Sequence, residues 1–212
     1  MKRYVLSLVL LVALLAGCST VTPTPASTPR ATKTLHWPNP PPMTIDQNKQ
    51  YVASIKTNYG DIVVQLLPKE APLAVNNFVF LARQGFYDGV KFHRIVKEFV
   101  IQSGDPTGTG YGSPGYMFAD EPVNRDYVPG TLAMANSGAN TNGSQFFITL
   151  TNLSDQPSPL PKNYTIFGLV SGGFNVVQNI GNVPVEANPS IPGEMSVPTV
   201  DVHINTITIE EK

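Results

Sequence analysis

The sequence predicts a mainly β domain, a β-sandwich or closed barrel carrying two helices. Three observations predict it. Short β-rich runs recur from Tyr51 onward, Gly and Pro turn signals separate them, and only two stretches have helical periodicity. Runs 51–57 and 61–67 flank the turn signal Asn58-Tyr59-Gly60-Asp61 and read as a hairpin. In the second run Ile62, Val64 and Leu66 share one face. Pro72 suits a first helical position, Val75, Phe78, Val79 and Ala82 form an apolar stripe, and Gly85 is a stop signal. Further strand-like runs lie at 90–96, 99–102, 131–135, 145–150, 165–170 and 200–209, with a short helix at 174–180. The stretch 103–130 is glycine-rich and aperiodic; a loop that long inside a domain points to function.

Composition bounds the chemistry. The chain has 212 residues, with 14 Lys and Arg against 15 Asp and Glu, a formal charge of −1. Nucleic-acid binding needs a basic surplus that is missing here. One cysteine excludes an internal disulfide framework, and three scattered histidines offer no metal spacing, so no metal is expected. The glycines at 104, 108, 110, 112 and 115 lack the Lys-Ser/Thr of a phosphate loop.

The ends of the chain differ in texture. Lys2 and Arg3 precede an apolar run, 4–15, too short for an ordinary transmembrane helix. It ends in Leu15-Ala16-Gly17-Cys18, which resembles the lipobox of bacterial lipoproteins. That resemblance implies a signal peptide over 1–17, a lipid on Cys18, and an extracytoplasmic domain anchored to a membrane. Residues 18–50 read as the lipidated cysteine and a Thr/Pro-rich linker, leaving 51–212 as the domain. Trp37, inside the linker, reads as a residue that folds back onto the domain.

Two segments carry candidate chemistry. In FHRIVKEFVIQSGD, residues 92–105, Arg94 sits in β-rich sequence; in MANSGANTNGSQFFIT, residues 134–149, alternation puts Phe146 and Ile148 on one face and Gln145 and Phe147 on the other. Taken alone, Arg94 reads as a surface arginine in a salt bridge and Phe99 and Phe147 as core aromatics. The two segments, with TNYGDIVVQL, APLAVNNFVFLARQGFYDG and GDPTGTGYGSPGYMFADE, resemble cyclophilins, the peptidyl-prolyl cis/trans isomerases, over nearly the whole of 51–210. The resemblance implies a closed eight-stranded antiparallel β-barrel capped by two α-helices, with the substrate groove outside the barrel. It makes Arg94 the principal catalytic residue, acting with Phe99 and Gln102. It places Phe99, Val100, Phe147 and Leu160 around the proline, Gln102, Ala135, Asn136 and Gln145 along the peptide backbone, and His93 at the flank. Val100 stands where methionine is usual, Pro159 where many members have tryptophan or phenylalanine, and Tyr164, also on the groove rim, where many have histidine. The implied reaction needs no cofactor, and the implied partners are proline-containing polypeptides among exported or surface proteins, met by a monomer. The alternative is a non-catalytic proline-peptide-binding chaperone or scaffold lipoprotein.

Overall fold

The computed structural model describes residues 35–212, so Cys18, the signal-like segment and the first part of the linker lie outside the described residues. The elements are β1 (Tyr51–Thr57), β2 (Gly60–Leu66), α1 (Pro72–Arg83), β3 (Arg94–Val96), β4 (Val100–Ser103), β5 (Thr131–Met134), β6 (Phe146–Thr149), β7 (Ile166–Gly172), α2 (Phe174–Gly181), β8 (Val185–Ala187), β9 (Met195–Pro198) and β10 (Ile204–Glu211). Eight strands form one curled antiparallel sheet in the order β10-β1-β2-β7-β5-β6-β4-β3. β10 and β3 are its edges. The chain before each edge comes together through the bridge Lys91–His203 and through Phe92 N–H donating to Val202 O at 2.9 Å, not through a continuous ladder. The sheet is therefore a curled half-barrel; ladder closure into a full ring is absent among the described pairings.

The concave face is filled by the pattern the sequence carries. Ile62, Val64 and Leu66 of β2 are buried, as are Phe146 and Ile148 of β6, and the α1 stripe Val75, Phe78, Val79 and Ala82 closes over them. Phe78 lies 5.2 Å from Tyr87, 5.6 Å from Phe146 and 5.3 Å from Phe167, ring centre to ring centre. Each such ring contributes about 1.5–3 kcal/mol over an exposed one. No side chain of its own caps α1 at Ala71. Glu121, from the long glycine-rich stretch, does so, accepting from Leu73 N–H at 2.8 Å and Ala74 N–H at 2.9 Å. Burial raises the Glu121 pKa, and those two bonds oppose the rise.

Residues 35–50, sequence that reads as linker, lie on the domain. Trp37 packs edge-on against Phe80 at 5.1 Å, and its backbone N–H donates to Pro114 O at 2.9 Å. Ile45 is buried, and the buried side chain of Asn76 on α1 accepts from Thr44 N–H at 2.9 Å and donates to Pro42 O at 3.0 Å. A proline-rich segment has few backbone donors, so a side-chain amide that both gives and takes suits its docking.

The run 90–96 forms a strand only from Arg94, and 99–102 only from Val100; Phe99 belongs to the intervening turn. The turn is tight: Phe99 N–H donates to Val96 O at 3.1 Å, and Glu98 takes φ 57°. β8 and β9 pair in a separate two-stranded sheet that the sequence reading did not contain.

Candidate active site

One row of cross-strand partners builds the site. Arg94 on β3 faces Gln102 on β4, Gln102 faces Phe147 on β6, and Phe147 faces Ala133 on β5. Direct partners in a sheet point to the same side. The core side is taken by Ile95, Ile101, Ile148 and Leu132, so this row stands on the convex face. There a second apolar cluster forms from Val100, Tyr127, Ala133, Phe147, Leu153 and Ile166, with Phe99, Ala135, Leu160 and Tyr164 packed on it.

A cleft of about 740 Å³ opens over this cluster. Its walls include His93, Arg94, Phe99, Val100, Gln102, Ala135, Asn136, Phe147, Leu160 and Tyr164. Gln145 lines the smaller adjoining cleft with Gln102, Ala135 and Asn136. All the sequence-derived candidates of the domain thus come together. The volume suits a short peptide segment or drug-sized ligand.

The apolar floor is fixed from behind. The Phe147 and Tyr164 rings meet edge-on at 5.6 Å. Tyr164 is held in turn by Tyr127, whose fully buried side chain accepts from Tyr164 N–H at 3.1 Å and donates to Tyr164 O at 3.0 Å. Burial pushes the Tyr127 phenol up to about 12. Tyr127 therefore anchors the wall carrying Leu160 and Tyr164, and sequence reasoning missed it because it sits in the aperiodic stretch.

The polar side is a continuous network. Arg94 Nη1 donates to Gln102 Oε1 at 3.2 Å, Gln102 Nε2 to Gln145 Oε1 at 3.1 Å, and Gln145 Nε2 to Gly110 O at 2.9 Å and Gly112 O at 3.0 Å. Gln102 and Gln145 thus bond each other and the glycine loop in the free protein, while Asn136 donates to Asn163 O at 2.9 Å. The glycine loop is folded around Asp105, which accepts from Thr107 N–H and Oγ1, both at 2.7 Å, and from Thr109 N–H at 3.0 Å. Desolvation raises the Asp105 pKa, but the bonds from Thr107, Gly112 and Gly110 outweigh it and hold the carboxyl below its ordinary value. Gly112 has to lack a side chain, since a Cβ there would collide with Asp105 Oδ1.

Arg94 lies over the Phe99 ring, its Cζ 5.8 Å from the centroid, a cation–π contact. It also has a partner that the sequence did not reveal. Nε donates to Glu194 Oε1 at 2.8 Å and Nη2 to Glu194 Oε2 at 2.6 Å. Both side chains are about four-fifths shielded, at 20% and 19% exposure. The hydrogen bonds from Arg94 lower the Glu194 pKa against the desolvation that would raise it. The salt-bridge and groove readings of Arg94 therefore hold together: it is paired, and it lines an open cleft. Glu194 sits between β8 and β9, and that connection adds Asn188, Pro189, Ser190 and Ile191 to the rim.

His93 flanks the cleft with both ring nitrogens shielded and without a protein hydrogen-bond partner. Desolvation lowers its pKa, Arg94 adds to the effect, and Asp105 opposes it. A neutral, shielded ring suits packing better than proton transfer.

Residues 52–209 match the family described as cyclophilin type peptidyl-prolyl cis-trans isomerase/CLD. The chain belongs to this family. Peptidyl-prolyl cis-trans isomerase B of Streptomyces anulatus is 42% identical over 183 residues, covering 77% of this chain and 99% of the relative. Peptidylprolyl isomerase domain and WD repeat-containing protein 1 of mouse is 46% identical over 164 residues, 74% of this chain; the chain spans only 24% of that much longer relative. Among solved structures, a cyclophilin type peptidyl-prolyl cis-trans isomerase of Cryptosporidium parvum superposes with a TM-score of 0.68 at 37% identity, covering 77% of this chain and 99% of its own. The same protein in the presence of the dipeptide Ala-Pro gives 0.67.

Proposed function

We propose that this cyclophilin accelerates cis/trans rotation of X–Pro bonds by holding the proline ring in its apolar cleft and donating a hydrogen bond from Arg94 to the prolyl nitrogen of the twisted amide. The carrying observation is the place of the guanidinium, on the cleft wall over Phe99 and in the same row as Phe147. A planar amide resists rotation by about 18–20 kcal/mol because resonance gives its C–N bond double-bond character. Twisting breaks that resonance and returns a lone pair to the nitrogen. A donor that meets this lone pair binds the twisted state better than either planar one, and only such a difference accelerates a step. Arginine stays charged and keeps a rigid donor fork. Val100, Phe147 and Leu160 would hold the ring while the preceding carbonyl swings, and Ala135 and Asn136, beyond the end of β5, would run beside the peptide. The dipeptide used with the C. parvum relative has the chemistry this reading calls for.

The test is turnover of a proline-containing peptide by the full chain, with Arg94→Ala alongside. A fall of about a hundredfold or more in kcat/KM supports the reading, the size seen when a preorganised donor is removed; equal rates refute it. The second reading, a non-catalytic proline-peptide binder, draws on the Arg94–Glu194 pair, which already engages two of the guanidinium donors. Tight peptide binding with no turnover would select it.

The cellular setting rests on the sequence before the domain. The lipobox-like Leu15-Ala16-Gly17-Cys18 and the Thr/Pro-rich stretch support a lipid on Cys18, anchoring of an extracytoplasmic domain to a bacterial membrane, and exported or surface proteins as substrates. Incorporation of labelled palmitate that Cys18→Ala abolishes would support it; label retained in that variant, or none in the wild type, would refute it.

A further inference from the structure

The connection between β8 and β9 belongs to neither the curled sheet nor the helices, yet it sends one carboxylate to the residue on which the proposed chemistry turns. We propose that Glu194 is a positioning residue for the isomerisation, fixing the Arg94 guanidinium so that its remaining N–H groups are presented to the twisted prolyl bond. The inference rests on the reading of Arg94 given above.

A guanidinium has five N–H donors. Glu194 takes one from Nε and one from Nη2 in a fork–fork pair, and Gln102 takes one from Nη1. One N–H is left on each terminal nitrogen. The plane is held along its side edge by Glu194, at Nη1 by Gln102, and against one face by Phe99. A free arginine side chain carries rotamer entropy, which an unclamped catalyst loses on reaching the transition state. The clamp removes that loss beforehand. Gln102 is braced through Gln145 to the glycine loop, so Glu194 completes the restraint from the opposite side. The carboxylate lies along an edge, leaving the cleft of about 740 Å³ open beside it.

The test is a double-mutant cycle on the full chain: wild type, Glu194→Ala, Arg94→Ala and the double variant, read by kcat, KM and peptide Kd. We expect Glu194→Ala to lower kcat about tenfold with KM and Kd unchanged, because ground-state contacts lie on the apolar floor. In the Arg94→Ala background the same change is expected to do nothing further, since Glu194 acts through Arg94. Glu194→Gln, which keeps one acceptor for Nε, should recover part of the rate and guards against misfolding of the connection. Unchanged or increased kcat in both Glu194 variants would overturn the inference, making the pair incidental or a brake. An equal loss with and without Arg94 would overturn it in favour of a merely structural role. If Arg94→Ala itself is fully active, both the catalytic reading and this inference fall.

Discussion

Glu194 grips Arg94 from 100 residues further along the chain, closing two hydrogen bonds on a guanidinium that also lies over Phe99. This relationship joins two surfaces with different origins. Arg94 belongs to a row across β3, β4 and β6, whereas Glu194 belongs to a connection outside the curled sheet. The site is therefore composite: an apolar floor set by strand register, a polar wall set by the Asp105 loop, and a carboxylate brought across from β8–β9.

The floor predicts a split between binding and stability. Phe147 is nearly buried and packs against Tyr164. Phe147→Ala should raise peptide Kd at least tenfold and cost about 3 kcal/mol of folding stability, as large-to-small changes in packed clusters do. Peptide titration and urea denaturation check both. Native stability in the variant would mean that the outer cluster does not support the fold.

His93 predicts a pH dependence of stability. Its pKa is lowered in the folded chain, where the ring is shielded, and is about 6.5 when unfolded. Above about pH 6.5 both states hold a neutral ring. Below it the unfolded chain takes up a proton that the folded ring refuses, so stability falls as the pH drops from about 6.5 toward the lowered native value. His93→Phe should remove that part of the slope in urea denaturation across pH 5 to 8, values chosen as roughly spanning the ordinary histidine range. Parallel wild-type and variant curves would contradict it.

Trp37 predicts that the domain extends upstream of β1. As the one tryptophan of the chain, it reports docking directly by fluorescence. Trp37→Phe, keeping an aromatic beside Phe80, should cost under about 1.5 kcal/mol, and Trp37→Ala about 2 kcal/mol or more, because the indole packs on Phe80 and Phe86. Thermal unfolding measures the difference. Emission of a solvent-exposed indole in the native protein would contradict the docking.

Much of this was legible in the sequence where period and chemistry agreed. Alternation put Phe147 on the face opposite Phe146 and Ile148, the resemblance to cyclophilins made that face the groove, and the stripe from Val75 to Ala82 marked the buried side of α1. The groove-facing Phe147 is nevertheless shielded, because the convex face carries its own apolar cluster; alternation distinguishes faces but not how well each is covered. The strands β8 and β9 carry no apolar alternation to mark them: of their residues only Ser196 is buried, and Pro198 ends one of them. Glu194 followed from no motif, since its meaning lies in a partner that only the folded chain brings near. Residues 35–50 read as linker because proline-rich composition signals poor burial, yet a few anchors, Trp37 and Ile45 with Asn76 behind them, suffice to dock the segment.

On the proposed mechanism Arg94 acts on the twisted bond and not on the resting peptide. The most direct measurement is NMR exchange between the cis and trans signals of an X–Pro peptide at saturating enzyme, for the wild type and Arg94→Ala, with Kd determined on the same samples. We expect rapid exchange with the wild type, exchange slowed by about a hundredfold or more with the variant, and a Kd changed by less than about threefold. Exchange that persists at the wild-type rate without the guanidinium, or a loss traced wholly to weaker binding, would contradict it.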